Sequence, residues 1–371
     1  FSANSTPGAD RIVFDIPGAG RHKIDVSQNF LPAITDTVTI DGYTQGDARP
    51  NSDRVFDDAV ILIQIDGGGQ APQNSSPTGL TLNASGCVVR GLMITGFAFY
   101  SPDAGQFRRF GGYGIDILRE NCLVEGNFLG TDGSAQLQGQ GNRGAGVRVR
   151  ASGARIGGNT PAARNVIGGA RQFIAGLGAG VLVDNSGVPT PALDGIVIAG
   201  NQIGGISPPP GFASAEGNDI GISMGGETFT NTIIGGTDPA AANLISGNQI
   251  GIRLGYDDTS PVRQAAATGV VIQGNLIGVQ PNSVAPSRNQ NVGIQILGSN
   301  NLVGGLESGA ANQIVYNGIG VQVTEQSVAA NRNRILSNLI NGNERPIVLV
   351  TDSPTTNDFG DRDTGPNNLQ N

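Results

Sequence analysis

The feature that most constrains the fold of this chain is an internal repeat with a period of 74 residues. A Gly-Asn-x-x-Gly motif begins at Gly126, Gly200 and Gly274, so that both intervals are 74 residues. A second motif runs in step with it, and a third recurs along the chain. Three motifs in 74 residues predict a repeating unit of roughly 25 residues, which lies within the range that indicates a solenoid. The second and third motifs are Ile156-Gly157-Gly158, Ile234-Gly235-Gly236 and Val303-Gly304-Gly305, each followed by Asn165, Asn243 or Asn312, and Gly146-Val147-Arg148-Val149, Gly251-Ile252-Arg253-Leu254, Gly293-Ile294-Gln295-Ile296 and Gly320-Val321-Gln322-Val323.

The residues within each unit indicate short β-strands rather than helices. Gly accounts for 59 of 371 residues, and each Gly inside a helix costs about 1 kcal/mol. Short β-branched segments separated by Gly and Asn suit strands stacked about 4.8 Å apart, because both residues tolerate the left-handed conformation of sharp corners. We therefore predict an all-β chain that forms a single-stranded parallel β-helix, right-handed by the usual preference of parallel crossovers.

The Gly-Asn motif predicts one corner of this β-helix. Asn127, Asn201 and Asn275 are expected to stack there as an inward ladder, each amide bonding the backbone of neighbouring coils. The alternation of the preceding strands places Cys122, Ile196 and Val270 in the core, and Glu125, Ala199 and Gln273 toward solvent.

The segment Cys87-Val88-Val89-Arg90 has the same pattern as Cys122 to Glu125. If these coils are adjacent, Cys87 stacks on Cys122 inside and Arg90 pairs with Glu125 outside. Two free buried thiols are the favoured interpretation, and a disulfide is the alternative that the residues leave open.

Charge and hydropathy exclude several classes of partner. The formal net charge of −8 disfavours nucleic acid and anionic membranes. The longest apolar run is shorter than the 18 residues that a membrane helix needs, so no membrane insertion is expected.

Several segments resemble a known family. The opening, from Ala3-Asn4-Ser5-Thr6-Pro7-Gly8 to Ile40-Asp41-Gly42, resembles the start of secreted bacterial right-handed parallel β-helix repeat proteins with a pectate-lyase-like fold, most of which are uncharacterised. Residues 231–237, 243–248 and 357–371 resemble their middle regions and ends. The resemblance covers nearly the whole chain and implies this fold and a secreted or cell-surface location. It implies little about activity, because the fold hosts enzymes, adhesins and passive stalks.

The pattern divides the chain into three parts. Residues 1–60 are expected to form an N-terminal capping segment with the first coils, and residues 61–350 the repeats, with an inserted loop near 96–113. Residues 351–371 are expected to form an acidic capping loop. Because the chain begins at Phe1 and ends at Asn371 without a leader or tail, we expect a processed form or a piece of a larger protein.

Enzymes with this fold mostly cleave acidic polysaccharides, using Asp clusters with an Arg base or several Asp with a His-bearing motif. This chain has one His, His22, before the repeats, which favours a surface or hydrogen-bonding role. The acid pairs Asp57-Asp58 and Asp257-Asp258 can share a proton or hold a metal, but their loop-like surroundings favour solvated acids. No catalytic residue is assigned.

The inserted loop carries six of the 18 aromatic residues together with two adjacent arginines. Aromatic faces beside guanidinium groups suit a sugar ring that bears a carboxylate or sulfate. The alternative is a loop that buries its own aromatic side chains, and Arg148 with Arg150 would extend a basic stripe. The predicted ligand-binding residues are Phe99, Tyr100, Phe107, Arg108, Arg109 and Tyr113.

The C-terminal run offers closely spaced oxygen donors around glycine, which suit calcium. The spacing is not that of an EF-hand, and an acidic capping loop is the alternative. The predicted calcium ligands are Asn357, Asp358, Asp361 and Asp363.

The even repeat and the lack of a catalytic constellation favour an extracellular structural or adhesive protein that binds cell-surface or matrix polysaccharide. The alternative is a polysaccharide lyase or glycoside hydrolase acting on an acidic polysaccharide in a lateral groove. An enzyme would concentrate ionisable groups on one sheet face across three or four adjacent coils. A third possibility is a shaft that self-associates through outward Val88, Leu123, Val197 and Val271.

Overall fold

The computed structural model shows an all-β right-handed parallel β-helix, which confirms the predicted fold class. Three parallel sheets run along it, and each coil contributes one strand to each sheet. No helix in the described part of the chain has the length and hydropathy that a membrane crossing requires. The structure describes residues 2–5, 7–69, 77–101, 108–110, 112–133, 141–171, 178–184, 192–205, 216–225, 228–256, 266–282, 285–324 and 330–349.

The strands of each sheet stack in chain order. The first sheet contains Asp10–Val13, Val38–Asp41, Val88–Arg90, Leu123–Glu125, Arg155–Gly157, Val197–Ala199, Thr228–Gly235, Thr268–Gln273, Leu302–Gly304 and Arg334–Leu336, with Leu193–Asp194 beside Thr228–Gly235. The second contains His22–Asp25, Ile63–Asp66, Leu92–Thr95, Phe128–Leu129, Val166–Ile167, Gln202–Ile203, Leu244–Ile245, Leu276–Ile277, Gln313–Val315 and Leu339–Asn341. The third contains Thr78–Leu82, Tyr113–Ile117, Ala145–Val149, Ala179–Asp184, Ile220–Gly225, Ile250–Leu254, Val292–Ile296, Ile319–Val323 and Arg345–Val348.

Four short 3-10 helices and one hairpin complete the described elements. The 3-10 helices are Ser2–Asn4, Gly42–Thr44, Pro161–Ala163 and Pro239–Ala241, and the antiparallel hairpin pairs Phe99–Ser101 with Arg108–Phe110.

The predicted coil length of roughly 25 residues is wrong. Successive asparagines at one corner are 38, 36, 42, 32, 37 and 26 residues apart. The 74-residue period therefore spans two coils, of 38 and 36 residues. The three motifs do not mark three coils, because one coil has three strands and joins them with loops of unequal length.

The predicted asparagine ladder is confirmed and is longer than expected. At the corner between the first and second sheets, each side-chain amide donates to the Oδ1 of the next asparagine and to a backbone carbonyl of the preceding coil; Asn201, for example, donates to Asn243 Oδ1 at 3.0 Å and to the Ile156 carbonyl at 2.9 Å. This ladder satisfies corner groups that are buried. Its rungs are Asn127, Asn165, Asn201, Asn243, Asn275, Asn312 and Asn338.

A second ladder lies at the corner before the third sheet, where Asn248 donates to Asn289 Oδ1 at 3.0 Å and Asn289 donates to Asn317 Oδ1 at 2.9 Å. It extends from Asn218 to Asn343 over the last coils. The two ladders fix the corners on both sides of the second sheet.

The core consists of inward-facing residues of the three sheets, from Val26 to Leu349. Cys122, Ile196 and Val270 are fully buried, as predicted. Glu125 and Gln273 are partly exposed, but the prediction for Ala199 is wrong, because it is only 4% exposed. It lies at a corner where the next residue, Gly200, donates its N–H to the Ala241 carbonyl of the following coil.

The residues predicted to form an outward apolar column are partly exposed on the first sheet. Val88 is in register with Leu123, but Arg155 follows in the column before Val197. The column is thus interrupted, and self-association through it stays a prediction.

An insertion, residues 42–62, lies between the strands Val38–Asp41 and Ile63–Asp66 and packs on the outer face of the second sheet. Tyr43 and Ile61 from this insertion pack on Met93, Phe128 and Val166. The insertion is held by Arg164, whose guanidinium donates to the carbonyls of Asp53, Arg54 and Phe56.

Candidate functional site

Polar side chains form a column on the outer face of the third sheet, which one apolar residue interrupts. Each is the outward residue of a Gly-apolar-x-apolar strand, and the parallel register stacks one upon the next. Leu182 is the one apolar member within this span. In that coil the polar residue is Asp184, two positions further along the same strand and on the same face. The polar strip is the set Asp116, Arg148, Asp184, Ser223, Arg253, Gln295 and Gln322.

The strip is recessed although it faces outward. The flanking residues Ile115 and Ile117 point into the core and are fully buried, so strand alternation sends Asp116 to the outside. Asp116 is nevertheless 9% exposed and Arg253 5%. The polar groups of the strip are therefore largely shielded from bulk water.

Arg148 is the best-defined residue of the strip. Its Nη2 donates to Asp184 Oδ2 at 3.1 Å, and its guanidinium carbon lies 4.8 Å from the centroid of the Tyr113 ring. A planar guanidinium held by a carboxylate and an aromatic face has little rotational freedom. The N–H groups of Arg148 that do not bond Asp184 therefore point in a fixed direction.

Asp116 differs from Asp184 because, among the described residues, no cation forms a salt bridge with it. Burial raises the pKa of Asp116, and Asp184 adds to this effect, while Arg148 and Arg150 oppose it. Its Oδ1 is buried and has no hydrogen-bond partner among the described residues. A carboxyl group with a raised pKa holds its proton to higher pH than an ordinary aspartic acid and can donate it to a ligand oxygen.

Other polar atoms of the strip also lack partners within the described residues: they are Ser223 Oγ and Gln295 Oε1. The Gln295 amide nitrogen donates to Gln322 Oε1 at 3.1 Å. Buried polar groups are usually hydrogen-bonded. A cluster of unpaired acceptors and donors along one line therefore indicates a surface that is completed by a bound molecule or by water.

One of the predicted ligand-binding residues belongs to this site, because Tyr113 contacts Arg148. Phe99, Tyr100, Arg108 and Arg109 lie in the antiparallel hairpin, with Tyr100 opposite Arg109. This hairpin ends shortly before the third-sheet strand that contains Tyr113. Phe107 lies outside the described residues.

The predicted calcium ligands Asn357, Asp358, Asp361 and Asp363 lie outside the described residues, as do Asp257 and Asp258. Within the part of the chain that the structure describes, no three His, Cys, Asp or Glu side chains are grouped to hold a metal.

Asp57 and Asp58 are not a pair of solvated acids. Asp57 is 1% exposed, and burial raises its pKa to about 6. Asp58 accepts hydrogen bonds from the Ser52 N–H and hydroxyl at 2.7 and 2.8 Å, and these interactions lower its pKa. Both residues lie in the insertion and not on the polar strip. His22 lies within 3.2 Å of the Gly18 carbonyl, in line with the predicted hydrogen-bonding role.

A second charged cluster lies on the first sheet. Arg90 is in register with Glu125, as predicted, with 4.0 Å between their charged atoms. Its closer partner is Asp41, which accepts from Arg90 at 2.7 Å and from Arg11 at 2.8 Å. Burial acts to raise the pKa of Asp41, but the two guanidinium groups outweigh it and lower that pKa. The opposite charges of this cluster are paired with one another.

No family model and no curated protein matches this chain. Solved structures that are similar in shape include the Dettilon tailspike protein (15% identity, 93% of this chain and 62% of that chain, TM-score 0.40). They also include a double mutant of the tailspike protein of E. coli bacteriophage HK620 in complex with a pentasaccharide (12% identity, 96% of this chain and 58% of that chain, TM-score 0.42). A third is a mutant of the periplasmic alginate epimerase AlgG (12% identity, 90% of this chain and 72% of that chain, TM-score 0.36). The chain spans 62% and 58% of the two tailspike chains.

Proposed function

We propose that this chain is an extracellular, non-enzymatic β-helix protein that binds polysaccharide along the polar strip and serves in adhesion or as a matrix element. The observation that carries the proposal is the strip itself: seven coils in succession present aligned, recessed polar groups on one sheet. The extracellular location is supported by the resemblance of the sequence to secreted repeat proteins.

The dimensions and chemistry of the strip suit an extended sugar chain. From Asp116 to Gln322 there are six inter-coil steps of about 4.8 Å, or about 30 Å in total, which spans several sugar units. Arg148 offers a fixed guanidinium for a carboxylate or sulfate, Tyr113 offers a ring face, and Gln295 and Ser223 offer hydrogen bonds to hydroxyl groups.

The test is affinity electrophoresis through gels that contain acidic or neutral polysaccharides. Arg148→Gln and Gln295→Leu are expected to reduce retardation by the matching polysaccharide. Arg155→Gln is the matched control, because Arg155 is exposed on the first sheet. Thermal unfolding of each variant separates loss of binding from loss of folding. Retardation that is unchanged in both strip variants, or reduced equally in the control, would contradict the proposal.

A second candidate function is cleavage of an acidic polysaccharide along the polar strip, by hydrolysis or by a lyase reaction. It is favoured by the different states of two carboxyl groups, since Asp116 has a raised pKa whereas Asp184 is paired with Arg148. An acid and an ionised carboxylate on either side of a bond are the requirement for glycoside hydrolysis. New reducing or unsaturated ends that disappear in Asp116→Asn, with binding retained, would establish this function. Ends that persist in that variant would exclude Asp116 as the acid.

We also propose calcium at Asn357, Asp358, Asp361 and Asp363, supported by the spacing of their oxygen donors. Affinity electrophoresis and thermal unfolding, each carried out with calcium and with a chelator, test this site. If chelation changes neither retardation nor the unfolding midpoint, the calcium proposal is wrong.

A further inference from the structure

The two cysteines of the chain are stacked in adjacent coils at the corner between the third and first sheets. Leu123 donates its N–H to the Cys87 carbonyl at 2.8 Å, so Cys122 lies directly beside Cys87 in the parallel register. Both side chains are fully buried and both thiols are free. Each sulfur lies close to the same carbonyl oxygen, that of Ala84, at 3.3 and 3.4 Å.

We propose that Cys87 and Cys122 are a site of reversible oxidation, at which a disulfide closes between two consecutive coils. Adjacent parallel strands are about 4.8 Å apart, and disulfides join Cα atoms that are about 4.4–6.8 Å apart. The core position on the other side of Cys122, on the next coil, is Ala154.

The thiols are buried, but each lies immediately behind an exposed turn. Ser85 and Gly86 are exposed just before Cys87, and residues 119–121 are exposed just before Cys122. Local opening of such turns requires less free energy than global unfolding. A small oxidant can therefore reach the pair while the coils stay folded.

The chemistry needs only an external disulfide, such as oxidised glutathione. The neighbouring Cys122 side chain lowers the pKa of Cys87 to about 7, so Cys87 is the more acidic thiol and is assigned as the attacking thiolate. It displaces one glutathione thiol and forms a mixed disulfide; Cys122 then loses its proton and displaces the second glutathione thiol. Two protein thiols are oxidised and one external disulfide is reduced to two thiols.

The experiment is intact-mass spectrometry of the folded protein after incubation with oxidised glutathione at pH 8. The wild-type mass is expected to fall by two hydrogens and to return after reduction. Cys87→Ser and Cys122→Ser cannot close the disulfide, so any modification stops at one attached glutathione. A wild type that keeps attached glutathione, or whose thiols react only in denaturant, would overturn the proposal.

Thermal unfolding provides the second measurement. The disulfide closes a loop between two coils, so the oxidised wild type is expected to unfold several degrees above the reduced form. The Cys87→Ala/Cys122→Ala double variant should show no response to oxidised glutathione. An equal midpoint for the oxidised and reduced wild type would contradict the assignment of an inter-coil staple.

Discussion

Replacing Asp57 by Asn is expected to stabilise this protein at neutral and alkaline pH. Asp57 is 1% exposed in the insertion over the second sheet. Its Oδ1 accepts from the Ala59 N–H at 3.1 Å, whereas its Oδ2 is buried without a partner among the described residues. Asn keeps the first acceptor and has no charge, so it imitates the protonated acid.

The size of the effect follows from the pKa. Burial raises the pKa of Asp57 from 3.8 to about 6, and each pH unit between these values corresponds to about 1.4 kcal/mol. The folded state thus binds the proton more tightly than the unfolded state. The contribution of Asp57 to stability is therefore greatest below pH 3.8 and decreases as pH rises through about 6. At pH 8 the ionised carboxylate costs the folded state about 3 kcal/mol.

Urea unfolding of the wild type and Asp57→Asn at pH 4 and pH 8 tests this reasoning. The two proteins should have similar stability at pH 4, and the variant should be more stable by about 3 kcal/mol at pH 8. Asp58→Asn is the matched control: hydrogen bonds from Ser52 lower the pKa of Asp58, so this variant should lose stability at pH 8. If Asp57→Asn has no advantage at pH 8, or the same difference at both values, the burial argument is refuted.

Three further substitutions test the corners and the insertion. Asn201→Ala removes a rung that bonds Asn165, Asn243 and the Ile156 carbonyl; urea unfolding should show a loss of about 3 kcal/mol or more, while the exposed Asn341→Ala should be nearly neutral. Arg164→Ala leaves three insertion carbonyls without their donor; limited proteolysis should cut residues 49–60 faster, and an unchanged rate would show that Arg164 does not hold the insertion. Gly278→Ala places a Cβ 1.9 Å from the Val315 carbonyl oxygen at a φ of +95°; its unfolding midpoint should fall, whereas Gly20→Ala, with nothing within 4 Å, should lose only the smaller cost of its positive φ.

The sequence was sufficient to predict the fold because the corners demand particular residues. Asn127, Asn201 and Asn275 identify a corner at which a buried amide must satisfy backbone groups, and that requirement repeats in every coil. The coil length was not predictable from the same motifs, since Asn165 and Asn243 lie at the same corner as Asn201 and Asn275, one coil earlier, and not at another corner of the same coil. Loop length between strands varies freely on the outside of a solenoid, where no packing restricts it.

The polar strip could have been found from the sequence in part. Its members occupy the variable position of the Gly-apolar-x-apolar motif, as Arg148 and Arg253 do. Asp116 and Ser223 fit the same pattern within Gly114–Ile117 and Gly221–Met224, but their alignment depends on the inter-coil register, which loops of unequal length conceal. The ion pair of Arg90 with Asp41 was missed for the same reason, because 49 residues separate the two partners.

The position of the strip also explains why the ladders bear on binding as well as stability. The third-sheet strands begin two or three residues after the second ladder, whose rungs include Asn248, Asn289 and Asn317. A rung that fixes the start of a strand also fixes the direction of its outward side chain, such as Gln295. A preorganised row of donors loses less conformational entropy on binding than a flexible one. Disturbing a rung such as Asn289 should therefore weaken polysaccharide retention even where every side chain of the strip is unchanged, whereas the binding of a ligand elsewhere on the surface would not respond to it.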